Sequence, residues 1–260
     1  MGDQESGSTG RRRAVITGGC GDIGTAMAKR LVRDGFAVTL VDLLDAPAAE
    51  SVVASVRALA GDPRSVDYAQ VDVTDHDGMA GLFGRLDRVD VAIANAGIGR
   101  SAPILDLTLD QWRAHLDTNL TGAFSTGQAA ARRMVQDGRP GLLLFTGSWI
   151  GSVPWPEMAA YIASKAGIEM LAKQFARELA THGIRANVIA PGIVRAGMAR
   201  VQLETEPQYA ARAARVVPLG ELQSVDSVAD AVGFLCSPGA AYMTGAKLTV
   251  DGGCSLFAFD

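Results

Sequence analysis

A phenol and an ammonium group stand four residues apart at Tyr161 and Lys165, in a segment whose apolar spacing is typical of a helix. Residues four apart on a helix lie on one face, so the two side chains can reach the same point. A free tyrosine has a pKa of about 10 and is a poor base at neutral pH, whereas a fixed cation beside it favours the phenolate. The pair therefore predicts proton transfer by Tyr161, with Lys165 as its partner.

Two more polar residues precede this pair. Ser148 follows the fifth predicted strand, where its hydroxyl could hold a substrate oxygen by hydrogen bonding. Asn119 lies inside a long helix that the capping-box pattern at residues 108–111 predicts to begin after Thr108 and to run through Met134. Asparagine is a weak helix former, which is explained if its side chain or a nearby backbone carbonyl anchors a proton-relay water. Taken singly, each residue is more readily explained by a structural role, so the prediction of catalysis rests on the combination.

A glycine-dense segment, TGGCGDIG at residues 17–24, joins the first predicted strand to the first helix. Glycines let the backbone approach a pyrophosphate, and the free N–H groups at a helix N-terminus then bind the anion. The second predicted strand ends in Asp42, whose carboxylate would accept hydrogen bonds from the adenosine ribose and repel a 2′-phosphate. Gly21 and Leu43 supply no cation for such a phosphate. The sequence thus predicts NAD rather than NADP, and a helix N-cap is the alternative role for Asp42.

The elements that must position these residues alternate between short aliphatic runs and longer stretches of helical period. This alternation predicts an α/β protein with a doubly wound Rossmann fold, in which a seven-stranded, mainly parallel sheet carries helices on both faces. We predict a disordered leader over residues 1–12, then one dinucleotide-binding and catalytic domain over 13–260, with a mobile substrate lid at about 196–218. The lid is predicted to be a short helix with one apolar side, and a fixed packing helix is the alternative. The apolar residues are Met198, Val201, Tyr209, Ala213, Val216 and Val217. The predicted strands are Ala14–Thr17, Ala37–Asp42, Val66–Val71, Val89–Asn95, Leu142–Thr146, Arg185–Ala190 and Lys247–Val250.

Composition narrows the function classes. The 260 residues are 48% hydrophobic and 20% charged, which excludes a disordered or fibrous chain. A net charge of −4 gives no electrostatic footprint for nucleic acid or an anionic membrane. Three separated cysteines and three scattered histidines indicate neither a disulfide framework nor a metal site, and they fit a cytoplasmic setting.

From Ala14 to Gly253 the chain resembles the single-domain branch of the short-chain dehydrogenase/reductase family, on the Ser148, Tyr161, Lys165 and Asn119 set and the glycine loop. The resemblance implies an NAD-dependent enzyme that interconverts a secondary alcohol and its ketone, with Tyr161 as the acid/base. It also implies a homo-oligomer, most simply a tetramer, to which the apolar tail at residues 254–259 would contribute. The implied cofactor contacts are Gly18, Cys20, Gly21, Asp22, Ile23, Gly24, Asp42, Asp72, Val73, Asn95, Ala96, Gly97, Tyr161, Lys165, Pro191, Gly192 and Val194.

Three positions depart from the family pattern. One of them is Glu221, which follows Pro218-Leu219-Gly220 where arginine is frequent in the family. Asp22 replaces the central glycine of the loop, where we expect it to cap the first helix and to place a negative charge near the pyrophosphate. Ala196 replaces a threonine that in the family bonds the nicotinamide carboxamide, so that contact must come from the backbone or from elsewhere.

The substrate is predicted from the loop between Ser148 and Tyr161. Trp155 lies between two prolines and close to Glu157, and an indole beside a carboxylate suits a sugar or polyol. Alternatively, Trp155 packs a subunit interface and Glu157 caps the helix of Tyr161, which would leave an apolar pocket for hydrophobic ketones. A non-catalytic NAD sensor and a lyase on the same scaffold are further alternatives. The predicted substrate contacts are Ser148, Trp149, Trp155, Tyr161 and Met198.

Overall fold

The computed structural model describes residues 10–256, apart from the side chain of Met198. Most of the predicted leader and the end of the apolar tail therefore lie outside the described residues. No helix within 10–256 is long and apolar enough to cross a membrane.

Seven strands form one sheet in which every pair of neighbours is parallel. The strand order is β3-β2-β1-β4-β5-β6-β7, so the direction of winding reverses between β1 and β4. The fold prediction is confirmed, and the predicted strand bounds differ from the observed ones by two residues at most. The strands are β1 (Arg13–Thr17), β2 (Ala37–Asp42), β3 (Val66–Gln70), β4 (Val91–Ala94), β5 (Gly141–Thr146), β6 (Ile184–Pro191) and β7 (Lys247–Val250).

Helices cover both faces of the sheet because alternate strand residues point to opposite sides. On β1, Ile16 packs into the core beneath one group of helices, and Val15 packs into the core on the other side. The first group is α1 (Asp22–Arg33), α2 (Ala46–Arg57) and α9 (Val225–Leu235). The second group is α3 (His76–Arg85), α5 (Gly122–Gln136) and α6 (Ala159–Leu179). The site thus stands on a sheet with a dry core on each side.

The long helix predicted from Thr108 is interrupted. It begins as expected, with a capping box in which the Thr108 hydroxyl and the Gln111 side chain exchange hydrogen bonds with each other's backbone N–H. After α4 (Leu109–His115) the chain makes a π-helical turn over Leu116–Thr121 before α5 starts. Such turns carry one extra residue per turn and are concentrated at functional sites.

The predicted lid segment contains two helices rather than one, α7 (Gly197–Thr205) and α8 (Pro207–Val216). Pro207 starts the second helix, because its fixed φ suits a first helical position and its missing N–H breaks the preceding ladder. Tyr209, Ala213 and Val216 are buried, whereas Val201 is 54% exposed. The single apolar stripe predicted through Val201 is therefore wrong, and the buried face belongs to α8.

Candidate active site

A cavity of about 950 Å³ opens at the carboxyl ends of the strands, beside the reversal between β1 and β4. In an open parallel sheet this is where ligands bind. The predicted cofactor contacts line the cavity with one exception, Lys165, which lies beneath it. The predicted substrate contacts Ser148, Trp149, Trp155 and Tyr161 also line it, while Met198 lies in α7 with its side chain outside the described structure.

The glycine loop has the shape that a dinucleotide needs. Gly18 has a φ of +61°, and a Cβ there would come within 2.8 Å of the Ala96 Cα. A Cβ on Gly24 would lie 2.2 Å from the Gly18 carbonyl oxygen, so the helix can pack against the loop only without side chains. Asn95 fixes the loop from the neighbouring strand, because its Nδ2 donates to the carbonyl oxygens of Thr17 at 3.1 Å and Gly18 at 3.3 Å.

Asp42 ends β2 at the edge of this loop. Its Oδ2 accepts the Cys20 N–H at 3.0 Å, and its Oδ1 accepts the Leu43 N–H at 2.8 Å. It does not cap a helix, because Asp45 is the N-cap of α2. The carboxylate is held at the cavity wall, and the pKa of the nearby Cys20 thiol rises to about 11 through burial first and the Asp42 charge second. The loop and Asp42 together fit a nicotinamide dinucleotide.

Ser148 and Tyr161 meet at the other end of the cavity. Ser148 follows β5, Tyr161 lies in the first turn of α6, and their hydroxyl groups are hydrogen-bonded. Burial raises the pKa of Tyr161 to about 12, and the hydrogen bond to Ser148 acts in the opposite direction. The phenol is therefore protonated at neutral pH and can act as a proton donor.

Lys165 lies one helical turn beyond Tyr161, with its Nζ 5.4 Å from the centre of the phenol ring. It is 3% exposed, and its Nζ donates to the Thr146 carbonyl oxygen at 2.7 Å. Burial lowers its pKa to about 8. An ammonium with this pKa gains and loses its proton near physiological pH. It does so next to the Tyr161 ring.

Asn119 lies in the π-helical turn and is fully buried. Its Oδ1 accepts the Ile98 N–H at 2.8 Å, while its Nδ2 donates to the Ile98 carbonyl oxygen at 2.9 Å and the Ser164 hydroxyl at 3.0 Å. The side chain thus ties the strand β4 loop to α6. Both N–H groups of the amide are thus used and its oxygen accepts one hydrogen bond, so the side chain can bind a relay water only through the remaining lone pair of Oδ1.

The region beyond Tyr161 is lined by aromatic and aliphatic side chains. Trp155 is 5% exposed and packs edge-on against Trp149 and Tyr209, with ring centres 5.1 and 6.1 Å apart. It therefore packs within the chain and lines the cavity, which corrects the idea that it serves a subunit interface.

Glu157 does not face the cavity. Its carboxylate pairs with Arg212 of α8 at 3.5 Å, and its backbone adopts a φ of +65°. It does not cap α6 either, because Met158 occupies the N-cap without a side-chain hydrogen bond. Both roles predicted for Glu157 are therefore wrong.

A family model described as enoyl-(acyl carrier protein) reductase matches residues 20–255. The chain is 33% identical over 250 residues to the 3beta-hydroxysteroid dehydrogenase 1 of Eggerthella lenta, covering 95% of this chain and 94% of that protein.

The chain belongs to the short-chain dehydrogenase/reductase family.

Solved structures of similar family members hold different cofactors. A gluconate 5-dehydrogenase from Burkholderia cenocepacia J2315, in complex with NADP and tartrate, has a TM-score of 0.87 at 30% identity, covering 95% of this chain and 96% of that one. An NAD+-bound xylitol dehydrogenase has a TM-score of 0.86 at 31% identity, covering 93% of this chain and 98% of that one. The family membership therefore establishes alcohol and ketone chemistry with a nicotinamide cofactor. It does not distinguish NAD from NADP, so that choice must be argued from the residues of this chain.

This dehydrogenase/reductase uses Asp22 differently from the expectation. Gly21, not Asp22, is the N-cap of α1. The Asp22 Oδ2 instead accepts the backbone N–H of Gly197 at 2.8 Å, and Arg200 lies 3.9 Å away. The Asp22 side chain, which the family's glycine would lack, thus hydrogen-bonds the glycine loop to the start of α7.

Ala196 lines the cavity, but its N–H is taken by the Val194 carbonyl oxygen at 2.7 Å. The N–H of Val194 has no hydrogen-bond partner among the described residues, although the N–H groups of Gly192 and Arg195 on either side are occupied. Val194 is therefore the backbone donor that could replace the missing threonine.

Sequence reasoning missed Gln202, which is buried, lies in α7 and lines the cavity. It stands four residues after Met198, so helical spacing alone would have placed the two on one face. Ile193, which follows Pro191 and Gly192, also lines the cavity and packs with Trp155 and Tyr209.

Proposed function

We propose that the protein is an NAD-dependent dehydrogenase/reductase that interconverts a secondary alcohol and its ketone, and that Tyr161 transfers the proton. The observation that carries the proposal is the hydrogen-bonded Ser148 and Tyr161 pair above buried Lys165, in the same cavity as a glycine loop without room for side chains. The cofactor would supply hydride transfer to and from the reacting carbon.

The chain's own residues account for the proton. In reduction, Ser148 and Tyr161 would hold the substrate carbonyl oxygen between their hydroxyls, and Tyr161, whose pKa is about 12, would donate its proton as the alkoxide forms. In oxidation, the phenol must first lose its proton, which the Lys165 ammonium favours electrostatically. Asn119 holds Ile98 and Ser164 in place, so it would act by positioning rather than by contact with the substrate.

NAD is proposed over NADP because of Asp42. Its carboxylate is fixed by two backbone N–H groups at the wall where the adenosine ribose would lie. A fixed carboxylate accepts hydrogen bonds from ribose hydroxyls and repels a 2′-phosphate.

The aromatic end of the cavity favours the apolar alternative over a sugar or polyol. Glu157, the acid expected to bind sugar hydroxyls, is paired with Arg212, while Trp149, Trp155 and Tyr209 present ring surfaces. Such surfaces gain free energy mainly by burying apolar area. We therefore propose a cyclic or otherwise bulky, largely apolar secondary alcohol as the substrate class.

The test compares initial rates of NAD reduction with cyclic alcohols and with polyols, read as NADH absorbance. We expect kcat/KM for the cyclic alcohols to exceed that for xylitol by at least about tenfold, a difference of about 1.4 kcal/mol in transition-state binding. NADH should also raise the melting temperature, because a ligand of the folded state stabilises it. A shift without turnover of any alcohol would support the NAD sensor instead, and faster turnover of polyols would restore the sugar proposal.

A homo-oligomer, most simply a tetramer, is part of the same proposal. The described end of the chain has Cys254 buried and Leu256 78% exposed, and Phe124, Val135 and Met170 on α5 and α6 are also exposed. Exposed apolar side chains of this kind are typical of contact surfaces. Light scattering on the full chain tests it, and a monomer would contradict it.

A further inference from the structure

Two residues that line the cavity, Gln202 and Tyr209, carry polar groups. Gln202 of α7 is 9% exposed and Tyr209 of α8 is 8% exposed, and both line the cavity. Neither residue contributes to the proton transfer proposed above.

The amide of Gln202 has a fixed orientation. Its Nε2 donates to the Ser101 hydroxyl at 3.1 Å and to the Glu206 Oε1 at 3.4 Å, and the Ser101 hydroxyl also donates to Glu206. A carboxylate can only accept hydrogen bonds, so the amide nitrogen must be the atom that faces Glu206. The carbonyl oxygen of Gln202 is therefore directed away from this group.

That oxygen receives no hydrogen bond from the described residues, and the Tyr209 hydroxyl has no partner among them either. No buried side-chain oxygen in the described part of the chain lacks a partner, so both atoms must reach open space. Because both residues are otherwise buried and line the cavity, the space they reach is the cavity itself.

The two atoms offer complementary hydrogen bonds. The Gln202 oxygen accepts, and the Tyr209 hydroxyl can donate or accept. Burial, with smaller contributions from Tyr161 and Glu206, raises the pKa of Tyr209 to about 12, so the hydroxyl keeps its proton. Tyr209 thus lies within electrostatic range of both Tyr161 and Glu206.

We infer that Gln202 and Tyr209 are specificity-determining residues that bind a second polar group of the substrate, a hydroxyl or similar hydrogen-bond donor remote from the reacting carbon. The inference rests on the proposed function. It narrows the substrate to a bifunctional molecule with an apolar ring body against Trp149 and Trp155, a carbonyl or carbinol at Tyr161, and a hydroxyl at the far end.

The test uses matched ketones that differ only in the remote hydroxyl: cyclohexanone with 4-hydroxycyclohexanone, and 2-decalone with 6-hydroxy-2-decalone, each reduced with NADH. Two ring sizes are used because the distal group must span the distance from Tyr161. We expect the wild-type protein to prefer the hydroxylated member of at least one pair by about three- to tenfold in kcat/KM, the range for one neutral hydrogen bond.

Gln202→Met keeps the side-chain length and removes the acceptor, and Tyr209→Phe keeps the ring and removes the hydroxyl. In each variant, the ratio of kcat/KM for the hydroxylated ketone to kcat/KM for the plain ketone should fall towards one. A purely structural loss would lower kcat/KM for both ketones together and leave this ratio unchanged. Glu204→Gln is the control, because Glu204 is exposed on the same helix and should leave the ratio at its wild-type value.

Equal kcat/KM for both members of each pair, or a preference that survives both variants, would overturn this inference alone. Failure to reduce any of the four ketones would overturn the proposed substrate class and this inference with it. The two failures are therefore distinguishable in one set of assays.

Discussion

The Asp22 carboxylate accepts the backbone N–H of Gly197 at 2.8 Å, across 175 residues of sequence. The contact joins the first turn of α1, where a pyrophosphate would bind, to the first turn of α7, which carries Gln202. One hydrogen bond thus links the proposed cofactor site to the helix that carries a proposed substrate contact.

Removing that bond should loosen α7. We expect Asp22→Ala to speed proteolytic cleavage within residues 197–216, because the Gly197 N–H loses its acceptor. Asp22→Asn is the matched variant: it keeps an acceptor oxygen and loses the charge. It should retain wild-type cleavage and bind NADH about two- to fivefold more tightly, since a negative charge near the pyrophosphate is gone. Cleavage rates and NADH fluorescence titration measure the two effects, and identical cleavage of all three proteins would contradict the tether.

Tyr161→Phe should lower kcat by about 10²- to 10⁴-fold, the usual contribution of a positioned acid or base. The substitution removes only the hydroxyl that bonds Ser148, so the Kd for NADH should stay within about twofold of wild type. Stopped-flow turnover and fluorescence titration separate the two quantities. Turnover within a few-fold of wild type would rule out Tyr161 as the acid.

Cofactor preference should follow Asp42. The double variant Asp42→Ser with Leu43→Arg removes the carboxylate and adds a cation at an exposed position, so the NAD to NADP ratio of kcat/KM should fall about ten- to a hundredfold. Glu178→Lys, at an exposed position outside the cavity, changes the net charge by the same two units and serves as the control. Wild-type protein that already works better with NADP would refute the assignment.

The pH dependence should differ between the two directions. Because the pKa of Tyr161 is raised to about 12, the phenol is protonated from pH 6 to 8 and ketone reduction should be nearly constant there. Alcohol oxidation needs the deprotonated phenol, so its kcat/KM should rise with pH by up to about tenfold per unit. The Ser148 hydrogen bond opposes the rise in pKa, so Ser148→Ala should move the oxidation profile to higher pH. A flat oxidation profile from pH 7 to 9 would be inconsistent with this acid/base.

The buried Lys165 should lower the free energy of unfolding at neutral pH. Its pKa falls from 10.5 to about 8 on folding. Between pH 8 and 10.5 the unfolded chain therefore binds more protons than the folded chain, and the free energy of unfolding increases as the pH rises. Lys165→Met should therefore be more stable than wild type at pH 7, by on the order of 2 kcal/mol, with little or no activity. The difference should shrink between pH 8 and 10, measured by urea denaturation. A difference that grows with pH would show the opposite sign of coupling.

Much of this molecule is predictable from local pattern. Strand bounds, the glycine loop, the capping box at Thr108 and the cap at Ser224 all follow from short-range rules. The roles of Asp22, Glu157 and Gln202 do not, because each depends on a partner from a distant element: Gly197, Arg212 and Ser101 respectively. The raised pKa of Tyr161 could not be predicted from the sequence either, because most of the shift is caused by burial rather than by a neighbouring residue type.

The π-helical turn at Leu116–Thr121 sets two helical faces out of phase. An α-helix advances about 100° per residue, so one extra residue rotates everything after it by that angle relative to what precedes it. Trp112 and His115 before the turn, and Ala130 and Met134 after it, can thus face their own neighbours without a shared stripe. Deleting one residue within 116–121 would restore a continuous α-helix. It would also rotate either Asn119 away from Ile98 or the core residues of α5 away from the sheet. The extra residue of this turn therefore lets Asn119 contact Ile98 while α5 packs on the sheet.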